Sequence, residues 1–448
     1  MPIITENSPI AFNDALPEAV DVVIVGGGIA GVMAAWFLSK AGKSVFICEK
    51  GRVAGEQSSR NWGFVRQAGR DASELPMMID GMSIWQELQD QMGDAIGFRR
   101  PGSLFCTSYS DLHASYEAWV DDIGKPHGLP CRMISKREID KHLNGQPHEF
   151  TGGLYTERDG CAEPFTAVPA VANYLNQSKG VLIKENCAVR LLNIEAGEVT
   201  GVNTEDGDVR AEQVLVAGGA WTGKLLHNHG ISFPQLLVNT TLARTAPAKD
   251  PINLNFGFTK ACFRSRVDGG YTVTPGEIME HHLCLDTLRF GYKFLPALKF
   301  FYRNSRLRSG LGPGFLNRMA PKQRWKRDEV TPFELNRIAN PRLSDRHFKL
   351  LKRRLRAHFP DLAQLDILEA WTGSADMTPD ILPAIGPIHS LPRLYIASGL
   401  SGHGFGLGPA VGKAIANNML GRPDQFDLTP FRFERFYEGK KLRAGILE

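Results

Sequence analysis

The chain has no clustered cysteines. Its seven cysteines are spread over 448 residues, and no two of them form a CxxC pair. Structural zinc sites and disulfide frameworks both depend on such clustering. The sequence therefore predicts a chain without a metal site that works in a reducing compartment.

Long apolar runs and a strong net charge are also absent. No run of about 18 uncharged apolar residues could span a bilayer, and the polar, acidic first twenty residues lack the pattern of a secretory signal. The formal net charge of +4 is too small to indicate nucleic acid, and no nucleic-acid-binding motif occurs. We expect a cytoplasmic protein that binds no nucleic acid.

A nucleotide-binding pattern lies near the N-terminus. Residues 21–50 read as an apolar strand, a turn with Gly26, Gly28 and Gly31 at GxGxxG spacing, a helix, and a second strand before Glu49. In this context the spacing is a strong dinucleotide signal. Gly26 permits the tight turn, Gly28 admits a pyrophosphate, and Gly31 lets the helix lie close to the strand. Glu49 can bind a ribose.

A second glycine-rich turn lies near the C-terminal end. Residues 395–412, YIASGLSGHGFGLGPAVG, read as a strand, a glycine loop and a helix with Pro409 in its first turn. A second helix N-terminus would place positive dipole beside a flavin, where negative charge gathers on reduction. This favours FAD over a nicotinamide cofactor. A third turn, VLVAGGAWT at 214–222, could contact the same cofactor.

Five segments in this order resemble the FAD-dependent D-amino-acid oxidase superfamily, the group that includes glycine oxidase and monomeric sarcosine oxidase. They are the N-terminal GxGxxG, SSRN (58–61), VLVAGGAW (214–221), WTGSADMTPDILPAIG (371–386) and GLSGHGFGLGPAVG (399–412). The resemblance implies an α/β fold. It consists of a Rossmann-type FAD-binding domain and an α+β substrate domain with an antiparallel sheet.

The resemblance also implies domain boundaries. The FAD-binding domain is expected at 18–95, 151–235 and 361–440. The substrate domain is expected at 96–150 and 236–360, with a basic insertion at 283–327.

Cofactor contacts follow from the matching positions. In the family, the segment matched by 58–61 runs along the pyrophosphate to the flavin, and Val189 matches a position whose backbone contacts the adenine. No cysteine lies near Gly373, where sarcosine-oxidase-like members attach FAD, so non-covalent FAD is expected. The residues expected to bind FAD are Gly26, Gly28, Ile29, Ala30, Gly31, Glu49, Lys50, Ser58, Ser59, Arg60, Asn61, Val189, Gly218, Gly219, Gly373, Gly402, Gly404, Phe405 and Gly406.

Arg66 is the predicted carboxylate ligand. Sarcosine-oxidase-like members hold the substrate carboxylate with an arginine near this place, and a planar guanidinium binds a carboxylate through two parallel hydrogen bonds. Glycine-oxidase-like members use an arginine where this chain has Ala375, so Arg264 and Arg266 of the middle region are the alternatives. Arg70 is expected to pair with Asp71 or Glu74.

Trp62 and His403 complete the predicted substrate site. Trp62 is either a pocket wall or a core residue. His403 is expected to pack on the flavin, to touch the substrate or to be purely structural. The lysine that sarcosine-oxidase-like members place near Gly406 is missing, which leaves the oxygen-activating arrangement of those oxidases unsupported.

Residues 283–327 form a strongly basic segment. They contain eleven Lys and Arg residues and one acid, Asp286, with aromatic residues between them. One interpretation is a surface for anionic lipid on the inner face of a membrane, with a quinone as electron acceptor. The other is a pair of helices over the substrate domain with their bases in water. Pro296 is expected to kink any helix here.

The predicted reaction is oxidation of the carbon–nitrogen bond of a D-amino acid or an N-substituted amino acid. The resemblance implies hydride transfer to flavin N5 and hydrolysis of the resulting imine. Two alternatives remain on the same fold. One is an FAD-dependent hydroxy-acid dehydrogenase, and the other is a flavin-bearing subunit of a heteromeric dehydrogenase.

Overall fold

The computed structural model describes residues 3–146, 148–276, 278–301, 305–308, 324–423 and 425–443, with backbone alone at 299–301 and 305–308. In chain order the strands are β1 (Ala19–Val25), β2 (Val45–Cys48), β3 (Phe64–Val65), β4 (Ser103–Thr107), β5 (Cys131–Ser135), β6 (Gly152–Thr156), β7 (Gly160–Cys161), β8 (Leu182–Lys184), β9 (Val189–Glu195), β10 (Glu198–Thr204), β11 (Gly207–Val216), β12 (Leu236–Thr245), β13 (Asn255–Phe258), β14 (Ala261–Ser265), β15 (Tyr271–Thr274), β16 (Met279–His282), β17 (Ser305–Arg308), β18 (Ile367–Met377), β19 (Ala384–Pro387) and β20 (Leu394–Ser398). The α-helices are α1 (Ile29–Lys40), α2 (Leu75–Met92), α3 (Ser110–Trp119), α4 (Lys136–His142), α5 (Pro164–Lys179), α6 (Thr222–Asn228), α7 (Leu285–Phe290), α8 (Leu295–Phe301), α9 (Pro332–Leu335), α10 (Asp345–His358), α11 (Pro360–Ala363) and α12 (Gly404–Met419).

The first sheet has the N-terminal strand near its centre. Its order is β19-β20-β11-β1-β2-β8. In addition, β10 pairs antiparallel with β11, and β9 pairs antiparallel with β10. Strands β20, β11, β1, β2 and β8 run parallel. Parallel strands covered on both faces need apolar residues at successive positions. The buried run Val22–Ile24 in β1 and the fully buried β2 meet that need.

Helix α1 is an interior helix that lies against this sheet. Nine of its twelve residues are buried, on all sides of the helix. A Cβ at Gly31 would lie 2.2 Å from the carbonyl oxygen of Gly26. The missing side chain at Gly31 therefore allows the helix to approach the strand.

The second sheet is mainly antiparallel. Its order is β17-β16-β12-β15-β14-β13-β4-β6-β5, and β18 pairs with β12. The β12–β18 ladder runs from Leu236 opposite Met377 to Thr245 opposite Ile367. Two pairs, β4–β13 and β16–β17, are parallel. The predicted α/β fold with a second, antiparallel sheet is confirmed, with those two pairs as exceptions.

Two strands lie in the second sheet although their ranges are assigned above to the FAD-binding domain. Strand β6 pairs with both β4 and β5, and β18 pairs along the length of β12. These hydrogen-bonded ladders place both strands in the second sheet, although their positions along the chain suggest the FAD-binding domain. The domain boundaries themselves remain a prediction.

Pro409 does not lie in the first turn of its helix, because α12 begins five residues earlier, at Gly404. Proline has no N–H to donate to the carbonyl of Phe405 in this helix. The indole N–H of Trp85 in α2 donates to the adjacent Gly406 carbonyl at 3.0 Å. A neighbouring helix thus supplies a hydrogen bond in the turn that the proline interrupts.

The described part of the basic segment is helical near its start. Helix α7 leads through a 3-10 turn, Gly291–Phe294, into α8. Pro296 is the second residue of α8, where a backbone N–H would have no helical partner, so it does not kink the helix as predicted. Much of the remaining segment, at 302–304 and 309–323, lies outside the described residues. Within the described ranges, no helix has the length and apolar character needed to cross a membrane.

Candidate functional site

A deep cavity lies between the two sheets. Its walls are the turns after β1, β11 and β20, the loop from 52 to 66, and parts of β12 and β18. It encloses about 2170 Å³ of space that no atom fills, counted out to its open mouth.

Nearly all residues predicted from the sequence line this cavity. They are Gly26, Gly28, Ile29, Ala30, Glu49, Lys50, Ser58, Arg60, Asn61, Trp62, Arg66, Val189, Gly218, Gly219, Gly373, Gly402, His403, Gly404, Phe405 and Gly406. Gly31 is not among them, because it packs α1 against β1. Ser59 is not among them either. It is fully buried, and its hydroxyl donates to the carbonyl of Glu56 at 3.4 Å, within its own loop.

The turn after β1 is organised by the half-buried carboxylate of Glu49. Gly26 has a φ of +112°, and a Cβ there would lie 2.6 Å from the carbonyl oxygen of Ala217, so the position requires glycine. Glu49 accepts the backbone N–H groups of Gly27 at 2.8 Å and Gly51 at 2.7 Å. Burial raises the pKa of Glu49 to about 6. The Glu49 carboxylate, at the end of β2, therefore holds both the turn after β1 and the turn after β2.

The loop that contains SSRN is held by its own polar side chains. Ser58 Oγ accepts the N–H of Ile29 at 2.9 Å and so ties the loop to the first turn of α1. The Asn61 amide donates to two carbonyls of the same loop. Arg60 donates to Asn340 at 2.7 Å and to two backbone carbonyls. These groups therefore shape the cavity wall before any ligand is considered.

Two helices begin at the cavity. Helix α1 follows Gly28 and α12 starts at Gly404, and both glycines line the wall. Neither helix has an acidic residue in its first turn. No acidic side chain from the same helix neutralises the positive end of either helix dipole. Each helix N-terminus can therefore face an anion. The residues present fit a dinucleotide with a pyrophosphate and an electron-accepting ring.

Comparison with known proteins decides the family. The family model described as "FAD dependent oxidoreductase" matches residues 21–418. The chain belongs to this family. The fold and the glycine turns above are thus those of an FAD-dependent oxidoreductase.

Several relatives cover the whole chain. Human mitochondrial dimethylglycine dehydrogenase is 23% identical over 456 residues, 99% of this chain and 48% of the relative. This chain therefore spans about half the length of that relative. Mouse peroxisomal sarcosine oxidase is 24% identical over 432 residues, 93% of this chain and 96% of the relative. The structure of L-amino acid deaminase from Proteus myxofaciens, in complex with anthranilate, has a TM-score of 0.91 at 30% identity, covering 97% of each chain.

Two arginines line the cavity of this FAD-dependent oxidoreductase near His403. Arg66 donates to the carbonyl of Ala68, and its guanidinium lies 4.8 Å from the ring centroid of Phe105. Arg70 is only 3% exposed. Its Nε donates to the carbonyl of Arg66 at 3.3 Å, and its Nη1 has no hydrogen-bond partner among the residues at 3–443 that the structure describes. Burial and the charge of Arg66 lower the pKa of Arg70 to about 9.

The ion pair predicted for Arg70 is absent from the described part of the chain. Asp71 accepts the N–H of Ser73 at 2.8 Å instead, and Glu74 accepts from His403 Nδ1 at 3.1 Å. Helix α2 begins directly after Glu74 and directs that side chain toward the start of α12. The sequence could not reveal this contact, because the two residues are 329 positions apart.

His403 is buried beside this carboxylate. Burial lowers the pKa of His403 to about 4, the charge of Arg70 acts in the same direction, and Glu74 opposes both. Burial works against ionisation of Glu74, but His403 and the two arginines outweigh it and lower the pKa of Glu74. At neutral pH the pair is therefore a neutral imidazole that donates from Nδ1 to a carboxylate.

The alternative carboxylate ligands, Arg264 and Arg266, do not line the cavity. Arg264 is fully buried and donates to Glu163 at 2.9 Å and to the Trp62 carbonyl at 2.8 Å. Arg266 donates to Asp268 at 3.1 Å. Acidic residues hold both guanidiniums. The structure therefore does not bring these two alternatives to the cavity wall.

Trp62 satisfies both of its predicted descriptions. Its side chain lines the cavity, and it also packs edge-to-face against Phe64 with ring centroids 5.6 Å apart. Because its carbonyl accepts from Arg264, the loop is anchored to the second sheet at this residue.

A buried polar network on the cavity wall was not predicted. Asp376 accepts from Gln57 at 2.8 Å, from Gln235 at 2.7 Å and from the N–H of Gly399 at 2.9 Å. Burial raises the pKa of Asp376. The network joins the SSRN loop, β18 and the turn after β20. Its only signal in the sequence is the position of Asp376 within the block at 371–386.

Proposed function

We propose that this chain is an enzyme that oxidises the carbon–nitrogen bond of an amino acid, either a D-amino acid or one with a substituted nitrogen. The observation that carries the proposal is a cavity of the FAD-dependent family whose wall combines glycine turns with Arg66, Arg70 and a neutral His403. The matched dimethylglycine dehydrogenase and sarcosine oxidase support an amino acid with a substituted nitrogen, and the matched L-amino acid deaminase supports the carbon–nitrogen bond as the target.

The glycine turns after β1, β11 and β20 would hold FAD without a covalent link. The cysteine in the cavity wall is Cys48, a buried residue whose pKa burial raises well above its ordinary value, and a thiol of that kind is a poor nucleophile. It lies at the end of β2, beside Glu49. FAD, when bound, accepts the hydride that leaves the substrate carbon.

The other residues would bind and orient the substrate. Arg66 has a guanidinium on the cavity wall that can hold a carboxylate, and the ring of Phe105 supports it from one side. Trp62 and Phe64 give this wall an apolar surface that excludes water. Holding the substrate in one orientation contributes a large share of the rate in such reactions.

An anaerobic screen tests the proposal. The purified chain is loaded with FAD and mixed with D-amino acids, L-amino acids, N-alkylamino acids and 2-hydroxy acids, and loss of the oxidised flavin absorbance is followed. We expect reduction by at least one amino or N-alkylamino acid. Reduction by hydroxy acids alone would instead indicate a hydroxy-acid dehydrogenase. No reduction by any compound would indicate a flavin-bearing subunit.

We further propose that helices α7 and α8 contact a membrane surface. Four apolar residues three or four positions apart are exposed there: Leu288 (75%), Tyr292 (67%), Leu295 (54%) and Leu298 (41%). Basic residues lie between them in the sequence. An apolar row flanked by cations is typical of a segment that lies in the interface of anionic lipid. A quinone in that membrane would then accept the electrons.

Vesicle binding tests this surface. We expect the protein to co-sediment with vesicles that contain anionic phosphatidylglycerol more than with pure phosphatidylcholine. Replacing Leu288 and Leu295 with serine should abolish the difference. Leu335→Ser is the matched control, because Leu335 is equally exposed (73%) but lies in α9. Equal binding by the double variant and the wild type would contradict the proposal.

A further inference from the structure

In the described part of the chain, one outer nitrogen of Arg70 has no hydrogen-bond acceptor. Of the arginines on the cavity wall, Arg52 and Arg60 each donate hydrogen bonds from all three guanidinium nitrogens. Arg70 Nη1 is buried, and none of the residues that the structure describes supplies an acceptor for it. A buried charged donor without a partner is strongly unfavourable in a folded protein. Its place on a cavity wall therefore indicates an anionic ligand.

The rest of Arg70 is held firmly. Its carbonyl accepts the indole N–H of Trp119 at 2.9 Å, and its Nε donates to the carbonyl of Arg66 at 3.3 Å. These two hydrogen bonds hold the backbone of Arg70 and the inner nitrogen of its side chain in place. Arg70 itself lines the cavity, and a guanidinium can bind a carboxylate in a planar geometry.

His403 offers a proton acceptor at the same wall. Ionised Glu74 can only accept a hydrogen bond, so the proton of neutral His403 is on Nδ1. Nε2 then carries a lone pair. Glu74 therefore acts as a positioning residue that fixes the tautomer of His403.

The main charges that act on His403 in the described part of the chain are those of Arg70, Glu74 and Arg66. Arg70 and Arg66 disfavour its protonated form, and Glu74 favours it. A carboxylate bound to Arg70 would cancel the first of these charges. The proton affinity of His403 should therefore rise when a carboxylate enters the cavity.

We propose that Arg70, together with Arg66, binds the carboxylate of the substrate and that His403 thereby becomes the acceptor of a proton from the substrate ammonium. The inference rests on the proposed function, since it assigns roles at the same site. One N–H bond of the ammonium breaks, and its electron pair stays on the substrate nitrogen as the lone pair needed for oxidation. The proton forms a new N–H bond at His403 Nε2. No electrons are exchanged in this step.

Ligand binding tests the role of Arg70 without turnover. The FAD-loaded protein is titrated with carboxylates from acetate to 3-phenylpropionate and with the corresponding amides, and binding is followed by the flavin absorbance. We expect the wild type to prefer at least one carboxylate over its amide. Arg70→Gln should lower that carboxylate affinity on the order of 100-fold, without changing amide binding. Arg70→Lys should restore part of the preference.

Arg132→Gln is the matched control, because Arg132 is an exposed arginine in β5 paired with Glu138. It should retain the wild-type preference. If Arg70→Gln also retains the full preference, or if no carboxylate binds the wild type, Arg70 is not the carboxylate ligand.

NMR tests the role of His403. In FAD-loaded protein with 15N-labelled histidine, the His403 signal is assigned from its loss in His403→Asn and titrated with pH. We expect the bound carboxylate to raise the pKa of His403 in the wild type and to leave it unchanged in Arg70→Gln. We also expect the Nδ1-protonated tautomer at neutral pH. An unaltered titration in the bound wild type, or the Nε2-protonated tautomer, would overturn the proposal.

The two proposals fail in different ways. If no amino acid reduces the flavin but carboxylates bind through Arg70, the proposed function fails. If amino acids reduce the flavin in Arg70→Gln with unchanged KM and an unchanged pH profile, the proposed function stands and the inference fails.

Discussion

At the scale of single residues, Gly31 illustrates how one added methyl group would disturb the cofactor turn. An alanine Cβ would overlap the Gly26 carbonyl oxygen at 2.2 Å and press on Ile24 at 3.0 Å. Gly31→Ala should therefore push α1 away from β1 and lower the free energy of unfolding by about 3 kcal/mol. Thermal unfolding and the dissociation constant of FAD would both measure the effect.

Gly291→Ala is the control for that change. Gly291 has an ordinary helical φ of −53°, and a Cβ there would meet only Thr287, at 3.9 Å. We expect little change in stability or FAD binding. If Gly31→Ala behaves like this control, the close approach of α1 to β1 is not what determines the turn.

His229 should make stability depend on pH. Burial lowers the pKa of His229 to about 4, and its Nε2 accepts the N–H of Leu192 at 3.0 Å. In the unfolded chain the imidazole takes up its proton near pH 6.5. Between those values the unfolded state binds more protons, so stability is full above pH 6.5 and is lost as the pH falls toward 4.

Replacing His229 with glutamine would measure this contribution. Glutamine can accept the Leu192 hydrogen bond but does not titrate. We expect the wild type to lose about 1 kcal/mol more stability than His229→Gln between pH 7.5 and 5.5. Denaturant unfolding at both pH values gives the comparison. If both proteins lose the same amount of unfolding free energy between the two pH values, His229 titrates normally in the folded state.

At the scale of elements, one buried ion pair joins three parts of the fold. Glu163, directly before α5, accepts from Arg264 of β14 at 2.9 Å, and Arg264 also holds the Trp62 carbonyl. Despite burial, the charge of Arg264 lowers the pKa of Glu163 to about 2. Glu163→Gln should lower the free energy of unfolding by about 3 kcal/mol, because Arg264 would remain buried without its counter-charge.

An exposed ion pair provides the comparison. Glu138 and Arg132 pair at 2.6 Å on the surface, where such pairs contribute little. Glu138→Gln should barely change the urea midpoint, whereas Glu163→Gln should lower it clearly. If both variants change the urea midpoint equally, the Glu163–Arg264 pair does not hold α5, β14 and the SSRN loop together.

Elements with a strong local signal could be predicted from the sequence. The turn at Gly26, the strands on either side of it and α1 follow from short-range periodicity and glycine spacing. The start of α12 could not be predicted, because Pro409 is a typical first-turn residue and only burial against neighbouring helices overrides that preference. The partners of Arg70 and Glu74 could not be predicted either. The charged residues nearest to them in the sequence are not the ones that they contact in the structure.

At the scale of the whole molecule, the cavity collects residues from almost the full length of the chain. The glycine turns and the SSRN loop were expected there from recognisable motifs. The Asp376 network and the Glu74–His403 pair depend on contacts between distant segments, which no single stretch of sequence encodes. Arg264 and Arg266 are plausible ligands from their charge, but Glu163 holds the first and Asp268 holds the second outside the cavity lining.

The most direct test of the account is the absorbance spectrum of the purified chain after incubation with FAD and removal of free flavin. We expect an oxidised flavin spectrum close to one FAD per chain, and release of all the flavin when the protein is denatured. A colourless protein would contradict the account, because the cavity would then not hold the cofactor on which the proposed chemistry depends.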